Sequence, residues 1–297
     1  MSLTSSRPLL GIALVLAAAL LFASHDAISK QLSLYYPIVF IVWARYLVHG
    51  LLMAGLFLPR HGVTLLHTKK PVLQIVRALC LLMTTAAFAT GLKYLPLAEA
   101  CAVNFLAPLF VTALSVPLLK ERVSAAQWCV VITGFVGVLF IVHPSGELFR
   151  PEVLWPLCSA LFFCFYQLLT RHLAAFDSAL TSNLLTGLIN TLVVSLVLPF
   201  YWVTPALEHL WLVVLIGTCG MFAQLFFTQA FGFAAPALLA PLGYAQVVFA
   251  GILGWLLFKH TPDIWGLTGI ALICLSGALA AWLGARPAKA GVNRTPN

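Results

Sequence analysis

Long apolar runs, separated by short polar breaks, make up nearly the whole chain. Ten of them are about 17–25 residues long, enough for a helix to cross roughly 30 Å of hydrocarbon. They cover residues 8–30, 37–58, 72–92, 97–119, 124–142, 152–174, 178–200, 207–231, 235–258 and 263–284. The runs are continuous rather than alternating, which favours helices over the strands of a membrane barrel. We therefore expect an all-α integral membrane protein with ten transmembrane helices.

The second half of the chain repeats the pattern of the first half. Residues 92–142 and 231–281 align with an offset of 139, which places Phe105 on Tyr244. The opening helices align with an offset of 141, which places Lys30 on Arg171. Five spans per repeat is an odd number, so we expect two inverted five-helix repeats. The expected units are residues 8–142 and 152–284, followed by a polar cytoplasmic tail at 286–297.

Composition and charge fit such a membrane bundle. Hydrophobic residues make up 62% of the 297 positions and charged residues only 8%, and a soluble chain could not bury that much apolar surface. With a cytoplasmic amino terminus, ten Lys and Arg residues fall in inside loops and four in outside loops or at outer helix ends. The positive-inside rule then places both termini in the cytoplasm. Residues 1–25 also fit the outline of a cleaved signal peptide, but the apolar run continues past the possible cleavage site.

Other classes of function lack their sequence signatures. The net charge of +8 forms no basic stripe outside the helices, so nucleic acid is not an expected partner. The loops hold at most about a dozen residues, and no GxxxxGK[ST] motif is present. Seven Cys without a CxxC pair and eight scattered His predict no metal and no cofactor. An integral membrane enzyme would need clustered catalytic groups, and a scaffold or receptor would need an extramembrane surface; the sequence indicates neither.

Ionisable residues inside the spans need a reason, because each costs at least about 2.5–3.5 kcal/mol in lipid. His25 and Asp26 in the first span are candidates for substrate contact, and Asp26 is also a candidate proton carrier. The alternative for Asp26 is an ion pair with Lys30, one helical turn away. Arg45 in the second span could clamp a substrate carboxylate, or pin the bundle through Asp26 or helix carbonyls. Arg77, near the inner end of the third span, is expected to be a topology anchor.

Prolines and polar residues of the later spans suggest where a cavity lies. Pro108 and Pro117 in the fourth span, and Pro236 and Pro241 in the ninth, either interrupt helices near a binding site or kink them harmlessly. Glu99 is expected near the outer surface as a helix cap. Buried amides and aromatics suit a small, partly polar organic molecule. The predicted substrate-binding residues are Asp26, Arg45, His25, Trp43, Asn104, Tyr166, Gln167, Asn190, Gln224 and Tyr244.

Four sequence features follow one another along the first half of the chain. They are Lys30 closing the first span, WARYL with Arg45, LKYLPLAEACAVNFLAPLFVTALSVPLLKERVS from residue 92, and GFVGVLFIVHPSG from residue 134. In this order they resemble the EamA family of the drug/metabolite transporter superfamily. The resemblance covers residues 8–284 and implies an inner-membrane carrier with ten helices. By the same resemblance, Glu121 and Pro108 also stand at recurring positions. The second half departs from the pattern, because His260 stands where a Glu is expected and Arg45 has no Arg counterpart.

We therefore expect a secondary carrier rather than an enzyme. Similar proteins often export amino acids and related metabolites, and others handle purines, riboflavin, S-adenosylmethionine or opine-type metallophores. Export of a small zwitterionic or anionic metabolite by alternating access is the leading expectation. Import, for example of S-adenosylmethionine or riboflavin, is the alternative. The expected partners are a small-molecule substrate and the lipid bilayer, with a monomer or a homodimer as the functional unit.

Overall fold

The structure, a computed structural model, describes residues 8–119, 125–142, 151–230, 233 and 239–285. Within these residues the chain forms eleven α-helices joined by short turns and 3-10 segments, so the described part is all-helical, as predicted. The helices are α1 Pro8–Leu32, α2 Ile38–His61, α3 Pro71–Tyr94, α4 Leu97–Asn104, α5 Ala107–Leu119, α6 Ala125–Val142, α7 Leu154–Leu173, α8 Ala179–Val197, α9 Leu210–Ala230, α10 Ala245–Phe258 and α11 Ile264–Ala285. The predicted tail at 286–297 and Glu121 lie outside the described residues.

Six described helical segments are long and apolar enough to span a bilayer, and four shorter apolar helices lie on the remaining predicted runs. The long segments are Leu9–Leu32, Ile38–Leu66, Pro71–Tyr94, Pro151–Leu173, Ala179–Tyr201 and Leu207–Ala230. The shorter ones are Leu97–Val111, Trp128–Ile141, Leu242–Phe258 and Ile264–Leu279. The chain is therefore a multi-pass membrane protein.

Local sequence signals explain where several helices begin. Pro71 opens α3, and Pro37 and Pro96 directly precede α2 and α4. These are positions where a missing backbone N–H breaks no helical hydrogen bond. At the start of α8, the Ser178 hydroxyl accepts a hydrogen bond from the Thr181 backbone N–H at 3.0 Å. Proline and serine thus set these boundaries within an almost uniformly apolar chain.

The fourth and ninth predicted spans are both interrupted. A turn at Phe105 and Leu106 separates α4 from α5, and Pro108 follows in the first turn of α5. In the ninth span, a 3-10 segment at Ala240–Tyr244 precedes α10. Of the two alternatives, the helices are interrupted rather than merely kinked at these two places, whereas α5 continues through Pro117 and Pro236 lies outside the described residues.

Helices of the two halves pack against each other in pairs. The pairs are α1 with α9, α3 with α7, α2 with α8, α4 with α10 and α6 with α11. On α6, Gly134 faces Ser276 while Gly137, further along, faces Ile273, so α6 and α11 run antiparallel. A Cβ atom built on Gly137 would lie only 2.9 Å from the backbone oxygen of Gly269. Small residues therefore allow this close contact, as in other membrane bundles.

Candidate functional site

His25 and Asp26, consecutive residues of α1, form a buried pair in the bundle. His25 Nδ1 lies 2.9 Å from Asp26 Oδ1, and both residues are at most 5% exposed. The other carboxylate oxygen accepts a hydrogen bond from Gln246 Nε2 of α10 at 2.8 Å. It also contacts the Cys101 thiol of α4 at 3.6 Å. The buried carboxylate thus has polar partners on three helices, as a buried charge requires.

Lys30 does not pair with Asp26, so the ion-pair alternative is wrong. Its Nζ donates to the carbonyl oxygens of Leu92 and Leu95, both at 2.6 Å. These carbonyls belong to the carboxyl end of α3, where a positive charge is favourable. Lys30 also interacts electrostatically with Glu99. Glu99 lies in the first turn of α4 and is only 1% exposed, so it is buried against other helices; its expected place near the outer surface stays a prediction.

Arg45 keeps part of its hydrogen-bonding capacity unused. Its Nη1 donates to Thr85 Oγ1 of α3 at 2.9 Å, and the Tyr46 hydroxyl lies 2.8 Å from the same oxygen. The Arg45 Nε atom is buried and has no hydrogen-bond partner among the described residues. Within those residues Arg45 bonds neither to Asp26 nor to a helix carbonyl, so the pinning alternative is not observed.

A small cavity lies beside the Arg45 guanidinium, between α1, α2, α3 and α9. Its lining consists of His25, Ser29, Ile41, Val42, Arg45, Thr85, Phe88, Ala89 and Ile216. The space suffices for about one water molecule. A metabolite therefore does not fit in this state, and these helices would have to separate to admit one.

Arg77 was expected to be a topology anchor, but it lies inside the bundle and bonds to neighbouring helices. It is 1% exposed, and it donates to Thr170 Oγ1 at 2.7 Å, Thr186 Oγ1 at 2.8 Å, the Tyr166 hydroxyl at 3.0 Å and the Ser182 carbonyl at 3.0 Å. These partners lie on α7 and α8. Its place near the end of an apolar run indicated depth along α3, but it could not reveal which helices cover that face.

Four other predicted residues are buried or half-buried within the bundle. Gln224 Nε2 lies 3.4 Å from the Tyr166 hydroxyl. Both amide atoms of Asn190 lack a hydrogen-bond partner among the described residues. Asn104 accepts a hydrogen bond from Ser159 at 2.7 Å. Tyr244 packs against Phe105 with tilted rings whose centroids are 4.9 Å apart. None of the four predicted residues lines the cavity beside Arg45.

Two predicted residues lie away from that cavity. Trp43 Nε1 donates to Ser195 at 2.9 Å, and its ring packs with Phe40 and Trp202. Gln167 is half-buried and forms no hydrogen bond to the described part of the chain. The structure thus brings His25, Asp26 and Arg45 together in one region, and none of the other seven predicted residues lines the cavity beside Arg45.

Sequence reasoning did not select Thr85 or Cys101, although both contact the central charges. Nothing in the run TTAAFAT distinguishes Thr85 from its neighbours, and Cys101 lies in an apolar span without a CxxC partner. One signal was present for Thr85: an offset of 139 places it on Gln224, which is itself a candidate. All seven cysteines, Cys101 included, are free thiols.

Outside the spans, Asp177 links two loops. Its carboxylate accepts hydrogen bonds from the Thr68 hydroxyl, from Gln74 Nε2 at 2.8 Å and from the Lys69 backbone N–H at 3.1 Å. Burial raises the pKa of Asp177, but these hydrogen bonds outweigh it, so the pKa lies below its ordinary value. The α2–α3 loop is thereby tied to the α7–α8 loop.

The EamA-like transporter family model matches residues 9–143 and again residues 150–282. This chain belongs to the EamA-like transporter family. Its relatives carry different substrate names. An S-adenosylmethionine uptake transporter of Rickettsia felis is 29% identical over 266 residues, covering 89% of this chain and 90% of the relative. The pseudopaline exporter CntI of Pseudomonas aeruginosa is 28% identical over 271 residues, covering 90% and 94%.

A riboflavin transporter of Vibrio cholerae is 27% identical over 280 residues, covering 92% of this EamA-like chain and 93% of the relative. A solved chain described as "Crystal structure of protein" is 23% identical, with a TM-score of 0.62 over 95% of this chain and 99% of that chain; it supports the fold. The relatives' names indicate transport of small molecules rather than catalysis. They differ in substrate and direction.

Proposed function

We propose that this EamA-like protein is a secondary active carrier of the inner membrane that moves a small carboxylate-bearing metabolite by alternating access. Arg45 carries the proposal. Its buried Nε has no partner among the described residues, and the residue lines a small cavity. A guanidinium inside a membrane bundle needs an anion or a set of acceptors, and it binds carboxylates in a geometry that Lys cannot match. The proposal includes no catalytic step and no cofactor, and the functional unit is a monomer.

Alternating access rests on two inverted five-helix repeats. Exchanging the repeats should map each contact between them onto another contact. Val15 and Ala230 share one apolar cluster, and their counterparts Pro156 and Gly91 also lie together. On α6 and α11, the contact between Gly134 and Ser276 maps onto the contact between Ile273 and Gly137. These pairs support a two-fold relation with its axis in the membrane plane.

The orientation in the bilayer has a direct test. We propose that both termini are cytoplasmic, as the charge distribution predicts. Fusions of alkaline phosphatase and of green fluorescent protein to each terminus should give fluorescence and no phosphatase activity at both ends. Termini on opposite faces of the membrane would contradict the arrangement.

Transport by reconstituted vesicles tests the carboxylate clamp. Arg45→Ala should lower the rate for a carboxylate substrate by about 10–100-fold, since a hydrogen bond to a charged group contributes about 1.5–3 kcal/mol. The amount of protein in the membrane should stay at the wild-type level. Arg45→Lys should retain only part of the activity, because Lys keeps the positive charge but cannot present the two parallel N–H donors of a guanidinium. Unchanged rates in Arg45→Ala would reject the clamp.

Export and uptake are both candidate directions. Export follows from the family resemblance, and the relative named as a pseudopaline exporter is compatible with it. Uptake is favoured by the relative named as an S-adenosylmethionine uptake transporter, whose named substrate also carries a carboxylate. Metabolite profiles of cells and medium, with and without the gene, distinguish them: an exported metabolite accumulates inside the deletion strain, whereas an imported one accumulates in the medium. A riboflavin-specific profile would contradict the proposed substrate class, because riboflavin has no carboxylate.

Proton coupling is part of the proposal. Asp26 is the candidate carrier because it is a buried carboxylate whose partners lie on three helices that would move in alternating access. Transport under an imposed pH gradient should lose its gradient response in Asp26→Asn. A response equal to that of the wild-type protein would reject the role of Asp26.

A further inference from the structure

Two nitrogens without partners face the same spot beside α9. They are His25 Nε2 and Arg45 Nε, and both are buried without a hydrogen bond to the described residues. A Cβ atom built on Gly220 would lie 3.7 Å from Arg45 Nε and 3.9 Å from His25 Nε2. Because Gly220 has no side chain, it leaves this spot uncovered. Buried polar groups are costly to leave unpaired, so a ligand that accepts a hydrogen bond from each nitrogen would bind favourably at this spot.

The proton count of the His25–Asp26 pair decides what this spot can bind. In the pair's lower protonation state, the Nδ1–H of His25 donates to the Asp26 carboxylate, 2.9 Å away. Nε2 then presents only a lone pair, which cannot bond to an anion. After the pair takes up one proton, whether on the imidazole or on the carboxylate, Nε2 carries a hydrogen and becomes a donor.

We propose that His25 Nε2 and Arg45 Nε together form a carboxylate subsite that fills only when the His25–Asp26 pair has taken up one proton. The inference rests on the proposed function, since it concerns the same carboxylate site. It deepens that proposal: each carboxylate that binds is accompanied by the uptake of one proton. Because the cavity in this conformation holds only about one water molecule, the surrounding helices move apart as the carboxylate enters. The carboxylate then accepts one hydrogen bond from each nitrogen, and no covalent bond forms or breaks. When the ligand leaves, Nε2 loses its partner and the proton returns to solvent.

The surroundings of His25 agree with this assignment. The charged and titratable groups that face it are Asp26 on its own helix and Arg45 on α2. The cavity lining contributed by α3 and α9 is Thr85, Phe88, Ala89 and Ile216, none of which titrates. From α10 and α4, Gln246 and the Cys101 thiol contact the Asp26 carboxylate rather than the imidazole. An anion between the guanidinium and a protonated imidazole relieves their mutual repulsion, so proton and anion favour each other's binding.

The linkage also bears on direction. A carrier that binds proton and anion together moves both in the same sense. Under an inward proton gradient, the ligand is therefore driven inward. The inference favours uptake over export.

Formate, the smallest carboxylate, tests the subsite without knowledge of the substrate. Formate binding to the purified protein in detergent is measured by thermal stabilisation, with chloride at equal concentration as reference, at about pH 6 and about pH 8, on either side of the ordinary histidine pKa. Formate stays ionised throughout. In the wild-type protein, formate affinity should fall as the pH rises. The fall should reach about tenfold per pH unit in the range where the His25–Asp26 pair without formate lacks the extra proton.

Three variants separate the roles of the two nitrogens. His25→Gln places an amide donor near Nε2 that needs no proton, so formate binding should persist and lose its pH dependence. Arg45→Gln should lose formate binding at both pH values. His49→Gln is the matched control: His49 is also a buried histidine whose Nε2 lacks a partner among the described residues. It should keep the wild-type pH dependence.

A measurement on the wild-type protein guards against variants that misfold. Formate added to a weakly buffered protein solution should raise the bulk pH, because one proton is taken up per formate bound; chloride should not. Formate affinity equal at both pH values, no proton uptake, or no Arg45-dependent formate effect would each overturn the inference.

The transport proposal fails or survives independently. Proton-linked formate binding in a protein that moves no carboxylate into vesicles would overturn transport and keep the subsite. If His25→Gln transported carboxylates at the wild-type rate and with the wild-type pH dependence, the subsite would be overturned and the transport proposal would stand.

Discussion

Arg77 and Tyr166 contact each other twice: Arg77 Nη2 donates to the tyrosine hydroxyl at 3.0 Å, and the guanidinium carbon lies 4.7 Å from the ring centroid. With its bonds to Thr170, Thr186 and Ser182, Arg77 holds α3 against α7 and α8. Among the described residues, Arg45 makes one side-chain hydrogen bond by comparison and is only half-buried. The two arginines therefore differ: Arg77 holds helices of the bundle together, whereas Arg45 keeps a buried Nε unpaired, as its proposed role in binding requires.

Replacing Arg77 should destabilise the protein more than replacing Arg45. Arg77→Leu removes four hydrogen bonds from a charged donor to α7 and α8, and a hydrogen bond to a charged group contributes about 1.5–3 kcal/mol. The midpoint of thermal unfolding in detergent should drop clearly for Arg77→Leu and little for Arg45→Leu. Equal midpoints for the two variants would show that the Arg77 network adds little to stability.

The close contact between α6 and α11 should not tolerate a methyl group. In Gly137→Ala the new Cβ would lie 2.8 Å from Ile273 Cγ1 and 2.9 Å from the Gly269 backbone oxygen, and overpacking of this kind typically costs about 1–3 kcal/mol. Gly55→Ala is the matched control, because a Cβ there would meet nothing within 4 Å. Thermal unfolding should show a loss for Gly137→Ala and no loss, or a small gain, for Gly55→Ala. A stable Gly137→Ala protein would contradict the tight packing.

Asp177 should contribute stability at neutral pH and lose it in acid. Its folded-state pKa lies below the ordinary value because of the Thr68, Gln74 and Lys69 hydrogen bonds, which outweigh burial. The contribution is present above the unfolded-state pKa and disappears as pH falls through the folded-state pKa. Asp177→Asn should therefore unfold at a lower temperature than the wild-type protein near neutrality, and the gap should close as the pH is lowered through the acidic range.

A surface carboxylate provides the control for Asp177. Glu208 is exposed and makes no hydrogen bond to the described residues, so Glu208→Gln should leave the unfolding temperature unchanged at every pH. An Asp177→Asn gap that stays constant down to low pH would mean that the loss is steric and not linked to ionisation.

Span positions were predictable from sequence because each crossing needs a continuous apolar run, and the described helices lie on those runs. The partners of buried polar groups were not predictable. Asp26 contacts Cys101 and Gln246, which are 75 and 220 residues away in the chain, and no local pattern encodes such distances. Arg77 was misinterpreted for the same reason, since hydropathy reports depth along a helix and says nothing about its neighbours.

The offset between repeats was the sequence signal that related the most distant residues. The offset of 141 found for the opening helices places Arg45 on Thr186, whose hydroxyl accepts a hydrogen bond from Arg77. One repeat therefore has a cation at the position where the other has a hydroxyl. The two halves share a backbone plan, but their polar contacts had to be read from the structure.

The small size of the cavity beside Arg45 has a consequence for the cell as well as for the cargo. Room for about one water molecule is too little for a continuous file of water, which protons or hydrated ions would need to slip through this part of the bundle. In this conformation, protons and ions would therefore not leak past Arg45 through an idle carrier. The ion gradients that the cell uses for energy conservation would be preserved in this part of the bundle.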